Sequence, residues 1–279
     1  MPDDGDLITN TIRGTLPVGS YVLTETVPAG WNTAVDIHCQ GNSRPAGAGD
    51  NVLFVDVGPG DDVVCTFGNR KLATLTVVKK TVGGDGAFGF NFYDLGFLSD
   101  VFTLTTQSGT AQRVLSDLTT QGFEIEENVP AGWTLTDAQC SGVTNDDWVR
   151  DGNSLKPFLS PGDNATCTFT NTKSVNLTIV KKTVGGDATF DFGSTPNSDF
   201  DIPVFSLTTQ GGTAQQTLSD LHPGFYELSE TMPQGWAWSN AVCDADYFFD
   251  GSLVQLFDLA PGDDVTCTCL LYTSPSPRD

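Results

Sequence analysis

Residues 126–133 read EENVPAGW, and the same pattern returns as TETVPAGW at 24–31 and SETMPQGW at 229–236. The three copies stand 102 and 103 residues apart, measured between Pro28, Pro130 and Pro233. A period of that size is long enough to bury its own core, unlike the 20–50-residue units of solenoids. The cysteines keep the same ruler: Cys39, Cys140 and Cys243, then Cys65, Cys167 and Cys267. The chain therefore reads as tandem domains, beads on a string.

Flanking segments repeat as well. LTVVKKTVGGDGAF (75–88) is copied as LTIVKKTVGGDATF (177–190), and VFTLTTQSGTAQRVLSDL (101–118) as VFSLTTQGGTAQQTLSDL (204–221). SPGDNATCTFTNTK is matched by GPGDDVVCTFGNRK and APGDDVTCTC. Alternating apolar residues between Gly, Pro and Asp turns describe short strands, and no long stretch carries a 3.6-residue apolar period. The expected fold is all-β: tandem seven-strand-type sandwiches.

Alignment of the copies divides the chain at 1–72, 73–174, 175–268 and 269–279. The first repeat lacks its opening strand and reads as N-terminally truncated, so Met1 is not expected to be a natural start. The third stops in mid-strand. From Cys269 the chain runs CLLYTSPSPRD, which reads as an in-frame translation of a transposase sequencing adapter; a divergent tail is the alternative. Removing it leaves six cysteines, two per repeat.

With 35 acidic and 13 basic residues the net charge is −22, which repels nucleic acid and anionic lipid. No apolar run approaches the ~20 residues that would span a bilayer. No phosphate-binding loop or Gly-x-Ser-x-Gly signature is present, and His38 and His222 occupy unrelated repeat positions. A turnover enzyme is not expected, nor a cofactor or metal. Acidic turns such as Gly83-Gly84-Asp85 and Asp61-Asp62 could hold Ca²⁺, but turn chemistry accounts for them.

One cysteine of each repeat follows the tryptophan strand and the other sits in the last strand. Even numbers at repeated positions suggest the disulfides Cys39–Cys65, Cys140–Cys167 and Cys243–Cys267 and an oxidising, extracytoplasmic setting. Pairs of small buried hydrophobes are the alternative.

Strand parity supplies a second constellation. Phe123, Ile125 and Glu127 share one face, and the apolar members must face the core. Leu75, Val77 and Lys79 do the same in the first strand, and Cys167, Phe169 and Asn171 in the last. A lysine, a glutamate and an asparagine are thus aimed at one interior. An internal Lys–Asn isopeptide bond needs that set: a neutral amine nucleophile, an amide, and a protonated acid to polarise it. A hydrogen-bonded polar cluster without covalent chemistry is the alternative. Partial sets occur in the neighbours: Glu25 and Asn69 in the first repeat, Lys181 and Glu230 in the third, where Leu271 takes the asparagine position.

VVKKT, GFEIEENVPAGW and CTFTNTK, in that order along the chain, resemble the bacterial surface family of SpaA/CnaB-type prealbumin-like domains, over residues 1–268. The resemblance implies Ig-like sandwich modules strung along adhesins, pilins and wall proteins. It also implies Lys79 as amine, Glu127 as catalytic acid and Asn171 as amide. The function expected is a stalk or adhesin segment of a secreted or cell-surface protein, in contact with neighbouring repeats and with a host or matrix protein or glycan. The alternative is a module that binds a glycan or protein through the variable loops 41–50, 143–154 and 244–252. Trp31, Trp133 and Trp236 are expected to cap the cores; a sugar-stacking platform is the sharper alternative.

Overall fold

The computed structural model describes residues 14–40, 43–45, 51–119, 122–196 and 198–273. The chain start, most of the loop 41–50 and residues 274–279 of the tail lie outside them. Among the described residues the regular structure is strand, apart from a 3-10 turn at Thr144–Asp146.

The first repeat contributes β1 (Gly19–Thr24), β2 (Trp31–Gln40), β3 (Ser43–Pro45), β4 (Val52–Val57) and β5 (Val64–Lys71). They form a three-stranded sheet, β1-β4-β3, and the pair β2-β5. The middle repeat holds β6 (Ala73–Val82), β7 (Ala87–Asp94), β8 (Phe97–Thr105), β9 (Thr110–Leu118), β10 (Phe123–Asn128), β11 (Trp133–Ser141), β12 (Trp148–Asp151), β13 (Ser154–Pro157) and β14 (Asn164–Lys173). Its sheets run β12-β13-β10-β7-β8 and β11-β14-β6-β9.

The third repeat uses β15 (Val175–Val184), β16 (Thr189–Ser194), β17 (Phe205–Thr208), β18 (Thr213–Leu221), β19 (Gly224–Thr231), β20 (Trp236–Cys243), β21 (Tyr247–Phe249), β22 (Leu253–Leu259) and β23 (Asp264–Thr273). It has the same two-sheet plan, β18-β15-β23-β20 and β17-β16-β19-β22-β21.

The seven-strand expectation needs one amendment. The hairpin β12–β13 grows out of the variable stretch 143–154 and supplies two of the larger sheet's five strands, so that the repeat has nine among the described residues. Its sequence, WVRDGNSLKP, alternates around an Asp-Gly-Asn turn. Gly152 there takes φ 59°, which that turn requires.

Alternation decides which residues form the core. Phe88, Phe90 and Phe92 face inward along β7, Leu75 and Val77 along β6, and Cys167 and Phe169 along β14. Phe90 stacks on Phe102 at 5.4 Å within its own sheet and meets Phe169 of the opposite sheet edge-on at 5.3 Å. Each fully buried Phe contributes roughly 2–3 kcal/mol of transfer free energy. The third repeat repeats the arrangement around Phe190, Phe192 and Tyr226.

One topological feature sets up the site. The first and last strands of the middle repeat, β6 and β14, are parallel neighbours, with Lys79 opposite Phe169 and Thr81 opposite Asn171. Strand β10 lies in the other sheet, directly across the core.

Candidate cross-link site

Lys79, Glu127 and Asn171 meet in the interior of the middle repeat, each 0–1 % exposed. The parity that buries Val77 and Ile125 buries Lys79 and Glu127 one step further along the same faces. The lysine stem reaches along the parallel pair toward Asn171. Its Nζ donates to Asn171 Oδ1 at 2.6 Å, to the Phe169 carbonyl at 3.1 Å and to the Lys80 carbonyl at 3.0 Å. Glu127 Oε1 stands 3.1 Å from the same nitrogen. The Phe88 ring lies beneath it, 4.3 Å from Nζ to the centroid.

The electrostatics favour uncharged forms. Burial pushes the Lys79 amine below its usual range, opposed in part by the Glu127 carboxylate. Burial likewise pushes Glu127 above the ordinary carboxylate range, against the pull of Lys79. Both directions follow from the cost of holding charge in a dry core. A neutral amine retains a lone pair, and a protonated Glu127 becomes a donor.

The hydrogen-bond accounting is incomplete. Glu127 Oε1 and Oε2 and Asn171 Nδ2 are buried without a partner of hydrogen-bond geometry. The 3.1 Å approach of Nζ to Oε1 is an ion-pair distance without hydrogen-bond geometry, so it does not satisfy the carboxyl group. Buried polar atoms left in this state cost about 1–3 kcal/mol each. A reaction that expelled Nδ2 as ammonia would remove one of them from the core.

The other repeats hold parts of the same arrangement. In the third, Lys181 Nζ lies 2.7 Å from Glu230 Oε1 and 4.3 Å from the Phe190 centroid. Burial again lowers the lysine and raises the glutamate. The register puts Cys269 opposite Lys181 and Leu271 opposite Thr183, so buried Leu271 occupies the place that Asn171 holds in the middle repeat. Burial pushes the Cys269 thiol up to about 12. In the first repeat Asn69 Nδ2 donates to Glu25 Oε1 at 2.5 Å.

Disulfides join Cys39 to Cys65, Cys140 to Cys167 and Cys243 to Cys267. Each links residues directly opposite one another on adjacent antiparallel strands. In the middle repeat the cystine and the lysine site therefore share strand β14.

Two features were not read from the sequence. Phe88 and Phe190 form the floor under the lysines and meet Trp133 and Trp236 edge-on at 5.1 and 5.3 Å. Each tryptophan thus closes the end of a core over the ring that supports the amine. The repeated Phe three residues beyond Gly-Gly-Asp was the available signal. The aspartate of that turn has a structural task as well. Asp85 accepts from the Gly109 and Ser108 amides, and Asp187 from those of Gly212 and Gly211. These amides, Gly109 foremost for Asp85, hold both carboxyls below their usual range. Asp61, Asp163 and Asp263 tie their Pro-Gly turns in the same manner.

Two sheets, a parallel first–last pair and one cystine per repeat define a prealbumin-like sandwich. The chain belongs to the SpaA-type prealbumin-like fold domain family, whose profile matches three times, over residues 5–71, 75–173 and 177–270. Comparison with curated proteins gives no match. Among solved structures it is similar to the major pilin protein (T-13) of Streptococcus pyogenes, at 12% identity and TM-score 0.28, covering 73% of this chain and 97% of that one. It is also similar to a streptococcal ancillary pilin, at 14% identity and TM-score 0.30, over 94% and 77%. The shaft pilin SpaA of Lactobacillus rhamnosus GG shares 12% identity at TM-score 0.25, over 75% and 100%.

Proposed function

We propose that the chain is a stalk segment of a secreted or cell-surface bacterial protein, and that its middle repeat closes a covalent bond between Lys79 and Asn171. This reading takes 73–174 as the unit that carries the whole triad, with the repeats on either side holding parts of it. The observation that carries it is the buried triad, with Nζ held 2.6 Å from the Asn171 amide oxygen and Nδ2 left without a partner.

The neutral Lys79 amine attacks Cγ of Asn171, forming a C–N bond. Protonated Glu127 donates to Oδ1 as the carbonyl opens. Glu127, now a carboxylate, takes a proton from the attacking Nζ and passes it to Nδ2. The Cγ–Nδ2 bond breaks, ammonia leaves, and the proton on Oδ1 returns to Glu127 as the carbonyl re-forms. One amine and one primary amide become one secondary amide plus ammonia, and the carboxyl group is regenerated. The reaction occurs once per chain and acts only on itself.

The product ties the first strand to the last. Pulling force that enters through β14 would pass straight to β6, and the cystine ties β14 to β11. Each link restricts the unfolded chain, the cystine by roughly 3–4 kcal/mol in the chain-entropy model. Resistance to unfolding and proteolysis is the expected benefit to a stalk.

Intact-mass measurement of the reduced full chain tests the proposal. The mass should fall short of the sequence value by one ammonia, and Glu127→Ala should restore it. A full-length mass in the native chain overturns it.

A further inference from the structure

The ends of the repeats carry a separate message. Only Ser174, itself buried, stands between the last strand of the middle repeat and the first strand of the third. Its amide donates to the Gly132 carbonyl at 2.9 Å, and at the preceding boundary the Leu72 amide donates to Gly30 at 2.8 Å. Each Pro-x-Gly-Trp turn thus grips the residue at which the chain leaves its repeat.

Across the second boundary backbone meets backbone. A Cβ added at Gly83 would lie 2.6 Å from both Cβ and the carbonyl oxygen of Pro261. One added at Gly262 would lie 2.8 Å from the Gly83 carbonyl oxygen. The Gly-Gly turn of the middle repeat is therefore packed against the Pro-Gly turn of the third so closely that neither tolerates a side chain.

A third contact comes from the LSDL motif. Between Val175 and Leu177 the pairing of β15 with β18 slips by a bulge, and Asp220 within it takes φ 60°. That left-handed conformation, unusual for a residue with a side chain, aims the carboxylate backwards. Asp220 Oδ1 accepts from the Gly132 amide of the preceding repeat at 3.0 Å. Asp117 of the middle repeat has the same bulge and φ 58°.

We propose that these parts form a built seat between the middle and third repeats, latched by Asp220 of the LSDL motif, so that the two repeats move as one rigid body. The seat lies just beyond Lys79, Glu127 and Asn171, because the strand ends that follow those residues supply Gly83, Gly132 and Ser174. It shares the stalk reading but not the cross-link chemistry, and the two stand or fall separately.

The test uses the full chain and reads hydrogen exchange at the Gly132 amide together with small-angle X-ray scattering. Variants are Asp220→Ala, Asp220→Asn, Gly262→Ala, and a Gly-Ser-Gly-Ser insertion between Ser174 and Val175. Gly60→Ala is the control, since Gly60 occupies the same turn position at φ 79° with no atom within 4 Å of an added Cβ. Gly132 exchange should quicken about tenfold in Asp220→Ala and in the insertion, the effect of one ordinary hydrogen bond. Asp220→Asn keeps an acceptor and should stay slow. The insertion and Gly262→Ala should broaden the scattering distance distribution, while Gly60→Ala should not. Unchanged exchange at Gly132 in Asp220→Ala and the insertion, with an unchanged distance distribution, overturns the seat. Intact mass recorded on the same samples reports independently on the Lys79–Asn171 bond.

Discussion

The middle and third repeats hold the same buried lysine–glutamate pair over the same phenylalanine, and differ in what lies opposite. The middle repeat presents Asn171, the third Leu271. The lysine and glutamate are placed by strand parity alone, so they appear wherever the two strands appear. What separates the two sites is a single amide on a third strand. The third repeat, with buried Leu271 where the middle repeat has Asn171, is a comparison within the same chain that lacks the amide.

The largest expected effect comes from removing the nucleophile. Lys79→Met should abolish the ammonia loss and open a ring whose ends are 92 residues apart in sequence. Such a closure is worth roughly 4–5 kcal/mol in the chain-entropy model. Glu127 would also be left buried without its partner at Nζ, an unmet polar group that costs about 1–3 kcal/mol. Urea midpoints read from amide signals of each repeat should fall steeply in the middle repeat. A fall no greater than that of the matching third-repeat variant would mean that no ring existed.

That matching variant is Lys181→Met, where only the buried pair is lost. It should destabilise the third repeat by about 3–5 kcal/mol, and the double replacement Lys181→Met with Glu230→Leu should recover most of it. The same logic applied to Lys79 and Glu127 should recover only the electrostatic part. A full recovery in the middle repeat would argue for an ordinary ion pair there too.

The contrast shows what the sequence made legible. Period-two alternation placed Glu127 beside Ile125 and Lys79 beside Val77, which is enough to predict burial, because every second residue of a strand shares a face. Opposition of the cysteines was readable from their repeat positions. The hairpin β12–β13 was hidden in a stretch taken for a loop, since four-residue strands carry too little alternation to stand out. The seat at Gly83, Pro261 and Asp220 was hidden for a different reason. Gly-Gly-Asp, Pro-Gly-Asp and Ser-Asp-Leu each have a sufficient local explanation as turns or strand ends, and a contact between different repeats leaves no periodic mark within one.

The smallest effect, and the sharpest, is in the pH dependence. Burial lowers Lys181 from 10.5 and raises Glu230 from 4.5. A folded lysine of depressed pKa has released its proton while the unfolded chain still holds one. Stability therefore climbs as pH rises from the folded value toward 10.5, and that gain is lost as pH falls through the folded value. Glu230 acts in the opposite sense: its contribution is complete below 4.5 and is lost as pH rises through its folded value. The third repeat should show both arms. In the middle repeat, once Lys79 has become an amide nitrogen, the alkaline arm has nothing left to titrate and only the Glu127 arm remains. Urea midpoints of the two repeats, followed from about pH 4 to about pH 10, should diverge on the alkaline side. If both climb together, Lys79 still carries a free amine and the bond between first and last strands has not formed.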